Sequence, residues 1–287
     1  MRNFIFSLVA VLLIFALFFV NRYVPFQIEA ALVYLGICVL ILGLLSVIKP
    51  IKYFHINTRK SACIISGAGF LIFLTGMIFP SPIISSKNSH KHIDDFIPEY
   101  QFYEYHEVIV GASVDKISKV MREVSLKDLP VAKWLMRARS VASDQLEKPV
   151  KKPVGADGKR VDDLLSKPIP ELLLQPGSGF LMLDDSDPDE YVIGMVGKPW
   201  TIELPPNITT PDEFVAFRLP GNIKVAFNMH VVDMGNGSCR LSSETRILCV
   251  DASARKIFGR YWRVIYPGSS IIRRLWLDKI ADFATSM

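Results

Sequence analysis

The sequence predicts an α+β domain carried behind a hydrophobic N-terminal anchor. Before residue 80 come three long runs without a charge; from 179 to 250 come short segments rich in β-branched and aromatic residues, separated by turn residues; from 252 an amphipathic helical stretch closes the chain. Half of the 287 residues are apolar. Most of that excess lies in the anchor, and the remainder alternates polar and apolar as a folded domain does.

The uncharged runs cover 4–20, 30–48 and 61–79, with 17, 19 and 19 residues. A bilayer core about 30 Å thick takes roughly 17–25 helical residues, and in hydrocarbon a helix satisfies its own backbone. Residues 1–80 are therefore expected to form a membrane anchor of three transmembrane helices. The first run ends in Val20-Asn21-Arg22-Tyr23 without a small-residue cleavage site, so it reads as a retained helix and not a signal peptide. Arg2, Lys49, Lys52, Arg59 and Lys60 fall on one side of such an anchor, and Arg22, Lys87 and Lys91 on the other. The positive-inside rule then places the N-terminus in the cytoplasm and the domain outside it, in the periplasm if the source is bacterial. No charge interrupts a run, so nothing suggests a proton relay. Gly36, Gly43 and the Ser66-Gly67-Ala68-Gly69 stretch suit close helix packing.

Net charge is +5. Residues 1–95 hold eight Lys/Arg against three Asp/Glu, and the remaining 25 basic and 25 acidic groups cancel. The basic excess flanks the anchor, which argues against a nucleic-acid partner. Cys38 and Cys63 lie in the uncharged runs. Cys239 and Cys249 stand ten residues apart on one expected strand, about 33 Å at ~3.3 Å per residue, too far for a disulfide. Cys239 and Cys249 are expected to be free and largely buried.

Residues 81–101 read as a polar linker. Its His90-Lys91-His92 is a possible metal pair without a third ligand, so no metal site is expected. The domain proper is expected over 102–287. A strand at 105–112 leads into a helix with Ile117, Val120, Met121 and Val124 on one face. A short helix after Asp128 then carries Val131, Trp134, Leu135 and Ala138. Residues 144–178, rich in proline and lysine, read as a loop insertion. Strands are expected at 180–183, 191–196, 200–204, 214–218, 224–232 and 239–250, the last two joined by a turn at Asn236-Gly237. Strand alternation puts Arg240, Ser242, Glu244 and Arg246 on one face, expected to meet water. Leu241, Ser243, Thr245 and Ile247 share the other, a mixture of apolar groups and hydroxyls that suits a ligand cavity. The closing helical region places Ala254, Ile257, Phe258, Tyr261, Trp262 and Ile265 on one stripe. Pro267-Gly268 is expected to interrupt it before Ile272, Leu275, Trp276, Ile280 and Phe283 resume. Arg255, Lys256, Arg260, Arg263, Arg273, Arg274 and Lys279 are expected on its solvated outer side.

This order of elements resembles that of the START-like or SRPBCC superfamily, and so do four pieces of local sequence. They are Val124-Ser125-Leu126-Lys127-Asp128-Leu129-Pro130-Val131-Ala132, Pro211-Asp212-Glu213-Phe214, Leu241-Ser242-Ser243-Glu244-Thr245-Arg246, and Gly259-Arg260-Tyr261-Trp262-Arg263-Val264-Ile265-Tyr266-Pro267-Gly268-Ser269-Ser270. The resemblance covers about 103–286. It implies a helix-grip fold, in which a curved antiparallel sheet wraps a long C-terminal helix around a hydrophobic cavity. It also implies an apolar ligand such as a lipid, but not one reaction, because the fold hosts binders, transfer proteins, cyclases and oxygenase components.

No nucleophile elbow, HExxH, Walker loop or dinucleotide fingerprint occurs, so no cofactor and no catalytic residue are assigned. His106 and His230 are the domain's strand histidines, and Glu107 or Glu244 are the candidate bases. The expected partners are the lipid bilayer and one hydrophobic small molecule or lipid. Leu241, Ser243 and Thr245 would line its site, with either Phe227 or the pair Asn228 and His230, depending on which face of their strand looks inward. Ile257, Phe258, Tyr261, Trp262 and Ile265 would cover it. The function expected is membrane-tethered binding of that ligand. A cyclase- or hydrolase-like enzyme on the same fold, or a structural partner-binding protein with a filled cavity, are the alternatives.

Overall fold

The computed structural model describes residues 23–51, 54, 56–86, 92–131, 166–201 and 203–286. The expected span at 4–20 lies outside them, as do Trp134, Leu135, Ala138 and most of the expected insertion. The chain divides into two units: residues 1–81 with 256–267, and residues 82–255 with 268–287.

In the first unit, α1 (Ile28–Ile48) and α2 (Arg59–Met77) are both long and apolar enough to cross a membrane. Thr58 starts α2, its Oγ1 accepting from the Ser61 N–H at 3.1 Å. Glycine holds the two helices together. A Cβ added at Gly36 would fall 2.6 Å from the Phe73 Cα, one at Gly69 2.8 Å from the Leu40 Cα, and one at Gly76 2.8 Å from the Val33 nitrogen. Gly36/Gly43 and Gly69/Gly76 each stand two turns apart, so each helix presents one glycine stripe where backbones meet. Residues 256–267 add a ladder of rings, Phe258 on Trp262 at 5.8 Å and Trp262 on Tyr266 at 5.4 Å. Trp262 Nε1 donates to Gln27 Oε1 at 3.2 Å, and the Tyr266 hydroxyl donates to the Pro25 carbonyl at 2.7 Å. Arg263, expected on a solvated face, is buried instead. It donates to the Met77 and Phe79 carbonyls, which the end of α2 leaves without helical partners.

The second unit is α+β. Its elements are β1 (Ile84–Ser85), α3 (Ile93–Phe96), β2 (Glu99–Tyr100), β3 (Phe102–Val110), α4 (Val114–Glu123), α5 (Ile169–Leu173), β4 (Phe180–Asp187), β5 (Glu190–Gly197), α6 (Pro211–Ala216), β6 (Ile223–Asp233) and β7 (Cys239–Cys249). The final helix, α7 (Ala252–Ser286), supplies residues 268–286. β3 to β7 form one antiparallel sheet in the order β3-β7-β6-β5-β4, and β1 pairs with β2. Positive φ at Gly235 and Gly237 lets the chain return between β6 and β7.

One sheet face carries Phe227, Met229, Val231, Leu241, Tyr191 and Ile193, packed on Ile117, Val120 and Met121 of α4 and on Trp276, Leu277 and Ile280 of α7. The opposite face carries Val192, Val196, Ala226 and Leu183, packed on Ile93 and Ile97 of the α3 segment and Phe214 of α6. Gly194 is where α6 comes close, since a Cβ there would meet Leu183 and Phe214 at 2.6–2.9 Å.

Several expectations need correction. Residues 81–101 are not a plain linker, for β1, α3 and β2 lie in them. Residues 214–218 are not a strand: Thr210 and Glu213 form a capping box around Pro211 and open α6 instead. Residues 200–204 hold no strand among the described residues. Pro267 does not end the last helix, although it removes one N–H and crowds the preceding turn. The boundary between the units does fall directly after it. The β7 face with Ser242, Glu244 and Arg246 does not meet water. All three are buried beneath the second layer, and only Arg240 stays exposed.

Candidate ligand site on the helix-covered face

Strand register aligns a row of side chains across the α7-covered face. Tyr191 stands opposite Met229, Met229 opposite Ser243, and Ser243 opposite His106. The next row is Ile193, Phe227, Thr245 and Glu104. All eight are buried. Apolar groups dominate the centre and polar groups stand at intervals, the composition of a small-molecule site.

α7 lays Arg273 and Trp276 on these rows. The Arg273 guanidinium lies 4.0 Å from the Phe227 ring centre and 5.5 Å from that of Trp276, and the two rings meet edge to face at 6.3 Å. The Tyr191 hydroxyl, the Ser243 hydroxyl and the Trp276 indole N–H are buried without a hydrogen-bond partner among the described residues. Each costs roughly 1–3 kcal/mol while unmet, and native interiors hold few such groups. Burial raises the Tyr191 pKa above its ordinary value, so this hydroxyl keeps its proton. Burial also lowers the Arg273 pKa, with Glu104 and then Tyr191 acting the other way. Glu104 is already engaged, its Oε1 accepting from His106 Nε2 at 2.7 Å and its Oε2 from the Ser269 hydroxyl at 2.8 Å.

The opposite face holds a separate polar cluster in which the partners are present. Arg246 donates to Asp94 at 2.6 Å, to Glu244 at 2.7 Å and to the Ile97 carbonyl at 3.0 Å, and lies over the Tyr100 ring at 5.1 Å. Burial pulls its pKa down, but the Glu244 and Asp94 contacts outweigh that and raise it. Asn228 donates to Glu190 at 2.6 Å and accepts from the Glu244 N–H at 2.9 Å. His92 bonds Asp184, which raises the His92 pKa against the effect of burial. Lys224 is buried over Phe214 and donates to the Val215 carbonyl at 3.0 Å, and burial lowers its pKa to about 8. This cluster binds the α3 segment to the sheet and reads as structural.

The expected site residues thus separate. Phe227, Leu241, Ser243 and Thr245 share the α7-covered face. Asn228 and His230 lie on the other, with Asn228 wholly enclosed. Ile257, Phe258, Tyr261, Trp262 and Ile265 belong to the unit that contains α1 and α2, and Ile257 is exposed there. Within the sheet's own unit it is Trp276, Leu277 and Ile280, about three turns or more further on, that pack on that face. The stripe continues through Pro267, so helical spacing fits either half equally well. Arg273 was expected among the solvated cations. The signal for it was its place three residues before Trp276, on the face that the apolar positions mark as inward.

Among the described residues no three His, Cys, Asp or Glu gather as a metal site. His90 of the H-x-H pair lies outside them, and His92 is bound to Asp184. Cys239 and Cys249 are free and buried, and burial raises the Cys249 thiol to about 12. In an open groove lined by Ser118, Arg122, Asp185 and Asp189, Arg122 donates to Asp185 at 2.7 Å and Ser118 to Asp189 at 2.9 Å.

No protein-family model and no curated protein matches the chain. Among solved structures it is similar to the hypothetical protein jhp0584 from Helicobacter pylori, at 11% identity over 70% of this chain and 99% of that one. The TM-score is 0.33, a likeness too slight to speak for fold or function.

Proposed function

We propose that the protein is a membrane-tethered START-like domain that binds one hydrophobic small molecule or lipid between its sheet and the C-terminal end of α7. The observation that carries this is the set of buried polar groups without partners, Tyr191, Ser243 and Trp276, set among Ile193, Phe227, Met229 and Leu241. A ligand with an apolar body and a polar end meets both halves of that surface. The strand order and the final helix laid over one face fit a helix-grip reading. Two apolar helices in the same chain favour a lipid source for the ligand.

Delipidated full-length protein in nanodiscs is expected to take up a fluorescent lipid probe. Tyr191→Phe with Ser243→Ala should weaken uptake without lowering the melting temperature, because removing unmet buried hydroxyls leaves nothing new unpaired. Were the side chains merely filling their own core, the pair would leave the probe's behaviour unchanged. A wild-type protein that binds no lipid or aromatic probe sinks the proposal.

The enzymatic alternative draws on His106, bonded to Glu104 and opposite Ser243, which lines up a carboxylate, an imidazole and a hydroxyl. The Ser243 hydroxyl has no hydrogen bond to His106, so the nucleophile–base contact that acyl transfer needs is missing. Binding without catalysis is the better-supported reading.

The charge asymmetry around the apolar runs supports a domain outside the cytoplasm. Asn236→Cys, in the exposed β6–β7 turn, is expected to react with a membrane-impermeant maleimide on intact cells. Reaction only after the cells are opened would reverse the orientation.

A further inference from the structure

We infer that the polar end of the ligand is a single carboxylate held by Arg273, so that the domain selects long-chain carboxylic acids over neutral lipids. The inference rests on the ligand-binding reading and names the chemistry of that same site.

A guanidinium and an indole N–H can only donate hydrogen bonds. Whatever meets Arg273 and Trp276 must therefore accept. The Tyr191 and Ser243 hydroxyls, both buried without partners, flank Met229 on the same row and can donate as well. Among the described residues Arg273 makes no hydrogen bond or ion pair; its contacts are the faces of Phe227 and Trp276. Arg273 is only partly buried, and its guanidinium, pressed on two aromatic rings, gains a charge-assisted partner when an anion joins it.

Glu104 does not fill that role, because His106 and Ser269 occupy its two oxygens. It does limit the charge that the site accepts. Glu104 already offsets the guanidinium, so a monoanion adds one unmatched charge where a phosphate monoester near neutral pH adds about −1.5 to −2, and the smaller charge is favoured. A carboxylate is a monoanion, and it matches the planar fork of an arginine with two parallel bonds. Around it Ile193, Phe227, Met229 and Leu241 offer apolar surface, so the carboxylate heads an apolar chain.

The test uses full-length delipidated protein in nanodiscs and three probes with the same alkyl chain: dodecanoate, dodecanol and dodecyl phosphate. Calorimetry gives the affinities, and isotope-labelled dodecanoate gives the ionisation of its bound carboxyl by NMR. Wild-type protein is expected to bind dodecanoate at least about tenfold more tightly than dodecanol, the worth of one charge-assisted contact. Its bound carboxyl should stay ionised to lower pH than in the bilayer. Arg273→Gln should abolish the preference while keeping dodecanol binding, and Arg273→Lys should keep part of it. If the glutamine variant fails to fold, the lysine variant carries the same comparison, and Trp276→Phe, which removes the N–H with part of the ring, is read through the ratio of acid to alcohol affinity. Equal affinity for acid and alcohol, an unchanged ratio in these variants, or tighter binding of dodecyl phosphate would each overturn the carboxylate assignment and leave the ligand-binding reading standing. Failure of all three probes to bind wild-type protein would overturn that reading itself.

Discussion

Replacing Arg246 with methionine should destabilise the sheet unit by about 3–5 kcal/mol, the usual cost of removing one member of a buried ion pair. The guanidinium is almost fully enclosed and bonds Asp94 at 2.6 Å, Glu244 at 2.7 Å and the Ile97 carbonyl at 3.0 Å. Methionine fills much of the volume but takes away the guanidinium that joins the Asp94 and Glu244 carboxylates. One of them must take up a proton or draw in water. Neutralising Glu244 in the same chain, as Glu244→Gln with Arg246→Met, should restore part of the loss, because it removes one of the stranded charges. Urea unfolding followed by tryptophan fluorescence measures both variants. If the single variant unfolds with the wild type, the cluster is not what holds α3 to the sheet.

The second large effect belongs to the helix pair. Gly69→Leu should drive α1 and α2 apart, because even its Cβ would sit 2.8 Å from the Leu40 Cα and the Val39 carbonyl carbon. Both obstacles are backbone and cannot rotate away. Side-chain overpacking costs about 1–3 kcal/mol, and a clash with backbone offers less room for relief. The natural thiols report on the result, since Cys38 and Cys63 are exposed on the two helices while Cys239 and Cys249 are buried. Spin labels on Cys38 and Cys63 should show a longer or broader distance distribution in Gly69→Leu than in wild type. Gly67→Leu is the control: a Cβ there meets nothing within 4 Å, and it should leave the distribution unchanged. Matching distributions for wild type and Gly69→Leu would mean that the glycines do not set the approach of the helices.

What the sequence made legible was local. The apolar runs that became α1 and α2 announced themselves by length alone, and the β6–β7 hairpin by its turn residues. The inward set Phe227, Leu241, Ser243 and Thr245 came out of period-two alternation, once either face was known to be covered. What alternation could not show is that both faces of β7 are covered. Arg246 and Glu244 read as solvated because charge normally meets water. Their burial depends on Asp94, which is 152 residues away in the chain, and no local pattern carries that distance. The strand expected at 214–218 failed for a different reason. Phe214, Val215 and Phe217 have strand propensity, but Thr210, Pro211 and Glu213 form a helix start, and the cap decided the outcome. The stripe divides between the units because an amphipathic period says which side of a helix is apolar, not what lies against it. Trp262 and Trp276 are equally apolar and both buried, yet they serve different units.

The α3 segment also bears on where the soluble domain can be separated from its anchor. His92 donates its backbone N–H to Glu190 at 3.1 Å, Asp94 neutralises Arg246, and Ile93 and Ile97 are wholly enclosed against the sheet. Hydropathy would start a soluble fragment at 102, immediately before β3. Such a fragment would begin too late. It would bare the apolar patch around Val192 and Ala226 to water and leave Glu190 and Arg246 without the groups cut away. Any shortened form of this domain therefore has to keep the chain from residue 84, where β1 begins, and it still loses the bonds that Trp262, Arg263 and Tyr266 make to residues before 84.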